Sequence, residues 1–164
     1  MEERKKNNKI ITPLLAIKKA EVYCAYQERC QQEVRDKLYT FGIDSETVEG
    51  IIAHLIESNF LNEERFALAY VRGKFKQKQW GRIKIKQGLK FKKISDYLIK
   101  KALASIDSDD YYATLKNLAD KKYKDIKESN ILKKRYKLIA VLISKGFESD
   151  LVRDCTDEYF RETI

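Results

Sequence analysis

The sequence is poor in the residues that make turns, with one proline and six glycines in 164 residues. A sheet-rich chain needs many reversals, and reversals recruit Gly and Pro. The scarcity predicts helices joined by brief loops. Histidine occurs once, at His54, so a histidine-based metal cluster is absent, and His54 reads as a structural or surface residue in an otherwise apolar helix. The three cysteines, Cys24, Cys30 and Cys155, are odd in number and widely spaced. They make neither a disulfide framework nor a zinc motif, and they suit a reducing cytoplasm. Cys24 and Cys155 read as small buried hydrophobes. There is no apolar run of about 18 residues and hence no membrane-spanning helix.

Catalytic signatures are missing as well. The chain has no Gly-rich phosphate loop, no HExxH and no CxxC. Glu63 and Glu64 are sequence neighbours and project to different sides of a helix, so they do not pair as acid and base. Asp107, Asp109 and Asp110 lack the later oxygen ligands of a calcium loop. They are better explained as favourable charges at a helix N-terminus. An enzyme is not expected, nor a cofactor, nor a metal.

What remains is ample for folding. Apolar residues make up 43% of the chain and charged residues 36%, with a formal net charge of +9. Such a chain buries most of its extended surface without staples. Residues 1–11 read as a disordered basic tail rather than a secretory leader. Thr12 before Pro13 gives an N-cap and a first helical residue, predicting a helix from Pro13 to Glu28 with Leu14, Ile17, Val22 and Tyr26 as its apolar stripe. Asn62 caps a second long helix to Gln77, with Leu61 and Phe66 placed as a hydrophobic staple. A third long helix runs from Ser108 to Lys124. Ser95, Asp107 or Ser108, and Ser129 or Asn130 are the later caps.

One pattern recurs three times. Val34 and Leu38, Ile85 and Leu89, and Leu138 and Leu142 are pairs spaced by four. Five residues past each leucine stands Ile43, Ile94 or Phe147, preceded by Gly42, Lys93 or Gly146. Val48, Ile99 and Val152 follow, and then Ile51, Ala102 and Cys155. A repeat of this period denotes one supersecondary unit used three times. With a longer helix before each pair, the reading is all-α: nine helices in an elongated, curved tandem array of three-helix repeats at 12–59, 60–106 and 107–164. Gly42 and Gly146 are placed as helix-ending residues of positive φ. Lys93 at the equivalent position must accept that conformation or use another loop.

Positive charge is concentrated in the middle repeat. Between Arg65 and Ser95 there are eleven Lys or Arg residues and no acid, so the rest of the chain sums to −2. A solvated surface usually mixes signs, so this stretch predicts attachment to a polyanion or an acidic protein face. The candidate contacts are Arg72, Lys74, Lys76, Lys78, Arg82, Lys84, Lys86, Lys90 and Lys92. Lys74, Lys76 and Lys78 should fan out over the end of a helix and its loop. Trp80 is either a core anchor or a contact, and Arg65 either a contact or a brace between helices. Phe66, Ala69, Leu89, Ile94 and Leu98 are the expected core of this repeat.

The stretch from Phe60 to Leu89 resembles the central signature of the RecX family of bacterial recombination regulators. The matching residues are Leu61, Arg65, Phe66, Ala67, Tyr70, Val71, Arg72, Gly81, Arg82 and Ile83. Asn62 and Glu63 stand where two aspartates are usual, and Lys93 where a loop glycine is usual. The resemblance extends from about Ala20 to Tyr159. It implies a non-catalytic cytoplasmic protein of tandem three-helix units. Such a protein binds along the groove of the RecA recombinase filament and inhibits ATP hydrolysis and strand exchange. A monomer is expected, with single- or double-stranded DNA open as a partner that is not read for sequence. The residues themselves also leave open a basic module that binds DNA directly, and a helical scaffold for another acidic protein.

Overall fold

The computed structural model describes residues 11–161, and the tail expected at 1–11 lies outside them except for Ile11. Among the described residues there are nine α-helices and no strand. They are α1 (Pro13–Tyr26), α2 (Gln31–Tyr39), α3 (Ser45–Glu57), α4 (Glu63–Lys78), α5 (Arg82–Phe91), α6 (Asp96–Leu103), α7 (Ser108–Asp125), α8 (Ile131–Ser144) and α9 (Ser149–Phe160). Each repeat is a trio of consecutive helices, and the chain divides into two compact units, Met1–Phe66 and Ala67–Ile164.

Helix starts follow local chemistry. The Thr12 hydroxyl accepts from the Leu15 N–H at 3.3 Å, the Asn62 amide oxygen from Arg65 at 2.9 Å and the Ser95 hydroxyl from Leu98 at 3.3 Å. One Asp107 oxygen serves both Asp109 and Asp110, and Asn130 serves Lys133. Each supplies an acceptor to an N–H with no partner inside its helix. This settles the two alternatives left by the sequence in favour of Asp107 and Asn130.

The short turns between the second and third helices of each repeat share one backbone requirement. Gly42 has φ +75° and Gly146 φ +95°. Lys93 also adopts the left-handed region, at φ +59°. It does so inside a helix-ending motif in which Ile94 N–H reaches the Leu89 carbonyl (3.1 Å) and Lys93 N–H the Lys90 carbonyl (2.9 Å). A side chain in that region costs about 1–2 kcal/mol. The repeat keeps its turn and accepts the cost.

In the first unit the core joins Ala16, Ala20 and Cys24 of α1 to Val34, Leu38, Val48, Ile51 and Leu55. This corrects the expected α1 stripe. Leu14, Val22 and Tyr26 are exposed, and Ile17 only packs at the edge. The buried face is the small-residue series at spacing four, because small side chains let α1 approach the other two helices closely. Burial pushes the Cys24 thiol up to about 11, so it packs as an uncharged hydrophobe. His54 lies at the surface, 3.3 Å from Glu21.

In the second unit Ile85, Leu89, Ile94, Ile99 and Ala102 are buried together with Leu138, Leu142, Phe147, Val152 and Cys155. Those are the positions that the repeat marked. Two core assignments change. Ala69 is exposed and Ala67 takes the buried position, while Leu98 is half-buried beside the fully buried Ile99. Phe66 is buried and is the last residue of the first unit.

Candidate partner interface

The end of α4 and the start of α5 set the geometry of the basic stretch. Gln79 leaves the helix at φ +54°. Its N–H reaches the Phe75 carbonyl at 3.1 Å, and Trp80 N–H reaches the Lys74 carbonyl at 3.1 Å. This reversal folds the indole of Trp80 back toward α4. The Lys74 ammonium lies 4.8 Å from the indole centroid and the Lys84 ammonium 4.5 Å. Lys74 is also 5.4 Å from the Tyr70 ring. A cation beside an aromatic face is attracted by the ring quadrupole. Trp80 therefore gathers two lysines from different helices. It is half-buried, neither a sealed anchor nor a bare contact.

Arg82 and Arg65 are held by protein groups. Arg82 lies 3.8 Å over the Tyr111 ring and pairs with Glu148 at 3.2 Å. Its backbone N–H donates to the Tyr111 hydroxyl at 3.0 Å, and that hydroxyl donates to Glu148 at 2.5 Å. Burial and this carboxylate raise the Tyr111 hydroxyl far above the usual tyrosine range. Arg65 is the brace of the two alternatives considered for it, pairing with Glu28 at 3.0 Å and donating to the Asn59 side chain at 2.8 Å. The sequence had no signal that tied Arg82 to Glu148, 66 residues away.

The glycine before Arg82 has a packing reason. Gly81 N–H donates to the Lys145 carbonyl at 2.8 Å, and Ile83 N–H to the Gly146 carbonyl at 3.0 Å. A Cβ on Gly81 would overlap the Gly146 backbone, and one on Gly146 would overlap Lys84. The Gly-Arg-Ile run thus docks the start of α5 on the turn between α8 and α9.

The remaining candidates separate. Lys76 and Lys78 stand exposed within α4, which corrects the expectation that they reach into the loop. Arg72 and Lys76 line shallow depressions shared with Asp110 at the start of α7. Lys86 and Lys90 are exposed one turn apart on α5, and Lys92 is half-buried at its C-cap. The structure thus brings together Lys74, Trp80 and Lys84, and draws Arg82 and Arg65 into internal pairs. Among the described residues no group of three metal-ligating side chains forms, and no helix is long and apolar enough to cross a membrane.

These features define a tandem three-helix-repeat protein with a lysine pair ordered around a tryptophan in its second repeat. Three family models match it in order: the RecX first three-helix domain at 16–55, the second at 62–103 and the third at 109–156. The chain belongs to the RecX family. It is 36% identical over 140 residues to "Regulatory protein RecX" of Clostridium perfringens strain SM101, covering 82% of this chain and 65% of that one. The protein of the same name from Bacillus mycoides is 27% identical over 136 residues, covering 83% of this chain and 50% of that one. The chain therefore spans about half to two thirds of the length of these relatives. The crystal structure of RecX from Lactobacillus salivarius matches with a TM-score of 0.79 at 27% identity, covering 89% of this chain and 95% of that one.

Proposed function

We propose that this chain is a non-catalytic regulator of the RecA recombinase that binds in the groove of the RecA filament and inhibits its ATPase and strand exchange. Family membership supports the regulatory reading, since the matching relatives are named regulatory proteins. The observation that carries the contact surface is the Lys74–Trp80–Lys84 cluster within a stretch of eleven cations and no acid. A fixed pair of ammonium groups beside an indole offers an acidic protein face or a phosphate backbone a preset charge, with less side-chain entropy to lose on docking. Lys86 and Lys90, on one side of α5, extend the contact with Lys76, Lys78, Lys92 and Arg72. Arg82 and Arg65 act by holding the helices in place.

In this reading the chain works as a monomer in the cytoplasm, and its repeats at 12–59, 60–106 and 107–164 are the units of attachment. Several weak contacts on successive protomers sum to firm binding, because each later contact forms at high effective concentration. DNA in the filament adds phosphate contacts that are blind to sequence. The test is ATP hydrolysis and strand exchange by the cognate RecA with substoichiometric protein added. Inhibition is expected. No inhibition and no association with the filament overturns the proposal, as does tight binding to bare duplex that RecA leaves unchanged.

A further inference from the structure

The first repeat carries a second cationic surface, built differently from the one on the middle repeat. An open groove of about 510 Å³ runs between α1 and α2. Its floor is apolar, made by Val22, Tyr23, Tyr26 and Phe41, and its rim is Lys18, Lys19, Arg29 and Lys37. Val22 and Tyr26, one turn apart, are 70% and 82% exposed. That is unusual for an apolar pair with a core close by, and it leaves a patch for another surface to cover.

Positive charge predominates at the rim. Nearby carboxylates have other hydrogen-bond partners: Glu21 meets His54, Glu28 meets Arg65, Glu33 accepts from the Cys30 N–H and Asp36 from Gln32. The groove's lining holds these four cations and no carboxylate. Three of the four sit beside rings. Arg29 lies 3.8 Å over Tyr23 and donates to the Tyr23 carbonyl at 3.2 Å. Lys37 is 5.7 Å from the Tyr23 centroid and from the Phe41 centroid, and Lys19 is 5.9 Å from Phe41. The ring contacts hold positive charge around an apolar floor.

We infer that the α1–α2 groove binds an acidic peptide segment anchored by an aliphatic or aromatic side chain. The anchor covers Val22, Tyr26 and Phe41, and its flanking carboxylates meet Lys18, Lys19 and Lys37. Single-stranded nucleic acid fits less well. A run of stacked bases needs several free ring faces; the guanidinium of Arg29 covers Tyr23 and Val22 offers no ring, which leaves the exposed Tyr26 as a lone stacking face. The chain's own first ten residues are a poor occupant, since they carry four cations and two carboxylates and would add to the positive charge at the rim. This inference goes beyond the filament reading and is independent of it, because no recombinase enters its test.

The test is selection of random twelve-residue peptides displayed on phage against the immobilised full chain. Enriched peptides are then synthesised, and their affinity is measured by fluorescence anisotropy beside labelled oligothymidylate. The expected winners place acids on both sides of a Leu, Ile, Phe or Trp. Their affinity should fall at least tenfold for Lys18→Glu/Lys37→Glu and for Val22→Ser/Tyr26→Ser. All four positions are exposed, and unchanged circular dichroism and melting confirm that both variants fold. No enrichment, enrichment of peptides without acids, affinities equal in both variants, or tighter groove-dependent binding of oligothymidylate would each overturn the proposal.

Discussion

Gly81 and Gly146 meet backbone to backbone, so closely that a methyl group on Gly81 would occupy the space of the Gly146 peptide. The second and third repeats are joined there by main-chain hydrogen bonds from Gly81 and Ile83 to the α8–α9 turn. The glycine is demanded by a neighbouring repeat, not by its own backbone angles. Gly81→Ala should therefore destabilise the chain by about 1–3 kcal/mol through overpacking. Gly42 is a useful contrast. Nothing lies within 4 Å of a Cβ there, so Gly42→Ala should cost only the left-handed backbone penalty, about 1 kcal/mol. Urea unfolding of both variants checks the order.

Lys93 gives the opposite sign. Its φ of +59° suits glycine, and its side chain is exposed. Lys93→Gly should stabilise the fold by roughly 0.5–1 kcal/mol, the relief of left-handed strain being partly offset by the greater freedom of glycine in the unfolded chain. A higher urea midpoint with an unchanged slope is the expected result.

Tyr111 links Arg82 to Glu148, and the pKa of its hydroxyl is raised above the usual tyrosine range by burial first and by the Glu148 hydrogen bond second. A raised folded value contributes stability that is fully present below the unfolded value and is lost as pH rises through the folded one. The wild-type chain should therefore lose stability from about pH 10 upward. Tyr111→Phe should remove the part of that slope due to Tyr111. At neutral pH it should cost about 1–3 kcal/mol, since the half-buried Arg82 N–H and Glu148 lose a partner. Melting of both proteins across pH 8 to 11 measures the difference.

Trp80 orders Lys74 and Lys84, and it is half-buried. Trp80→Leu keeps apolar bulk and removes the quadrupole. It should weaken filament binding several-fold while changing stability by less than about 1.5 kcal/mol. Filament co-sedimentation and thermal melting separate the two effects.

The repeat was legible because its apolar positions are fixed by helix period, and the structure buries Leu38, Leu89 and Leu142 alike. Caps were legible because an N-cap is a local event between residues two or three apart. The α1 face was misread because its buried residues are Ala16, Ala20 and Cys24. Hydrophobicity pointed to the larger Leu14 and Val22, while close helix packing selected the small series. In the basic stretch, sequence counted cations but had no means of separating them by partner. Glu148 claims Arg82 from 66 positions away, and Trp80 collects two lysines only after the chain reverses at Gln79. Long-range pairing of this kind leaves no local period to detect.

The most direct measurement is the affinity of the labelled full chain for RecA filaments assembled on single-stranded DNA, compared with Lys74→Glu/Lys84→Glu at several salt concentrations. At least a tenfold loss is expected for the double variant at low salt, narrowing as salt screens the charges, with helicity unchanged. Equal affinity of the two proteins at every salt concentration would remove Lys74 and Lys84 from the contact surface.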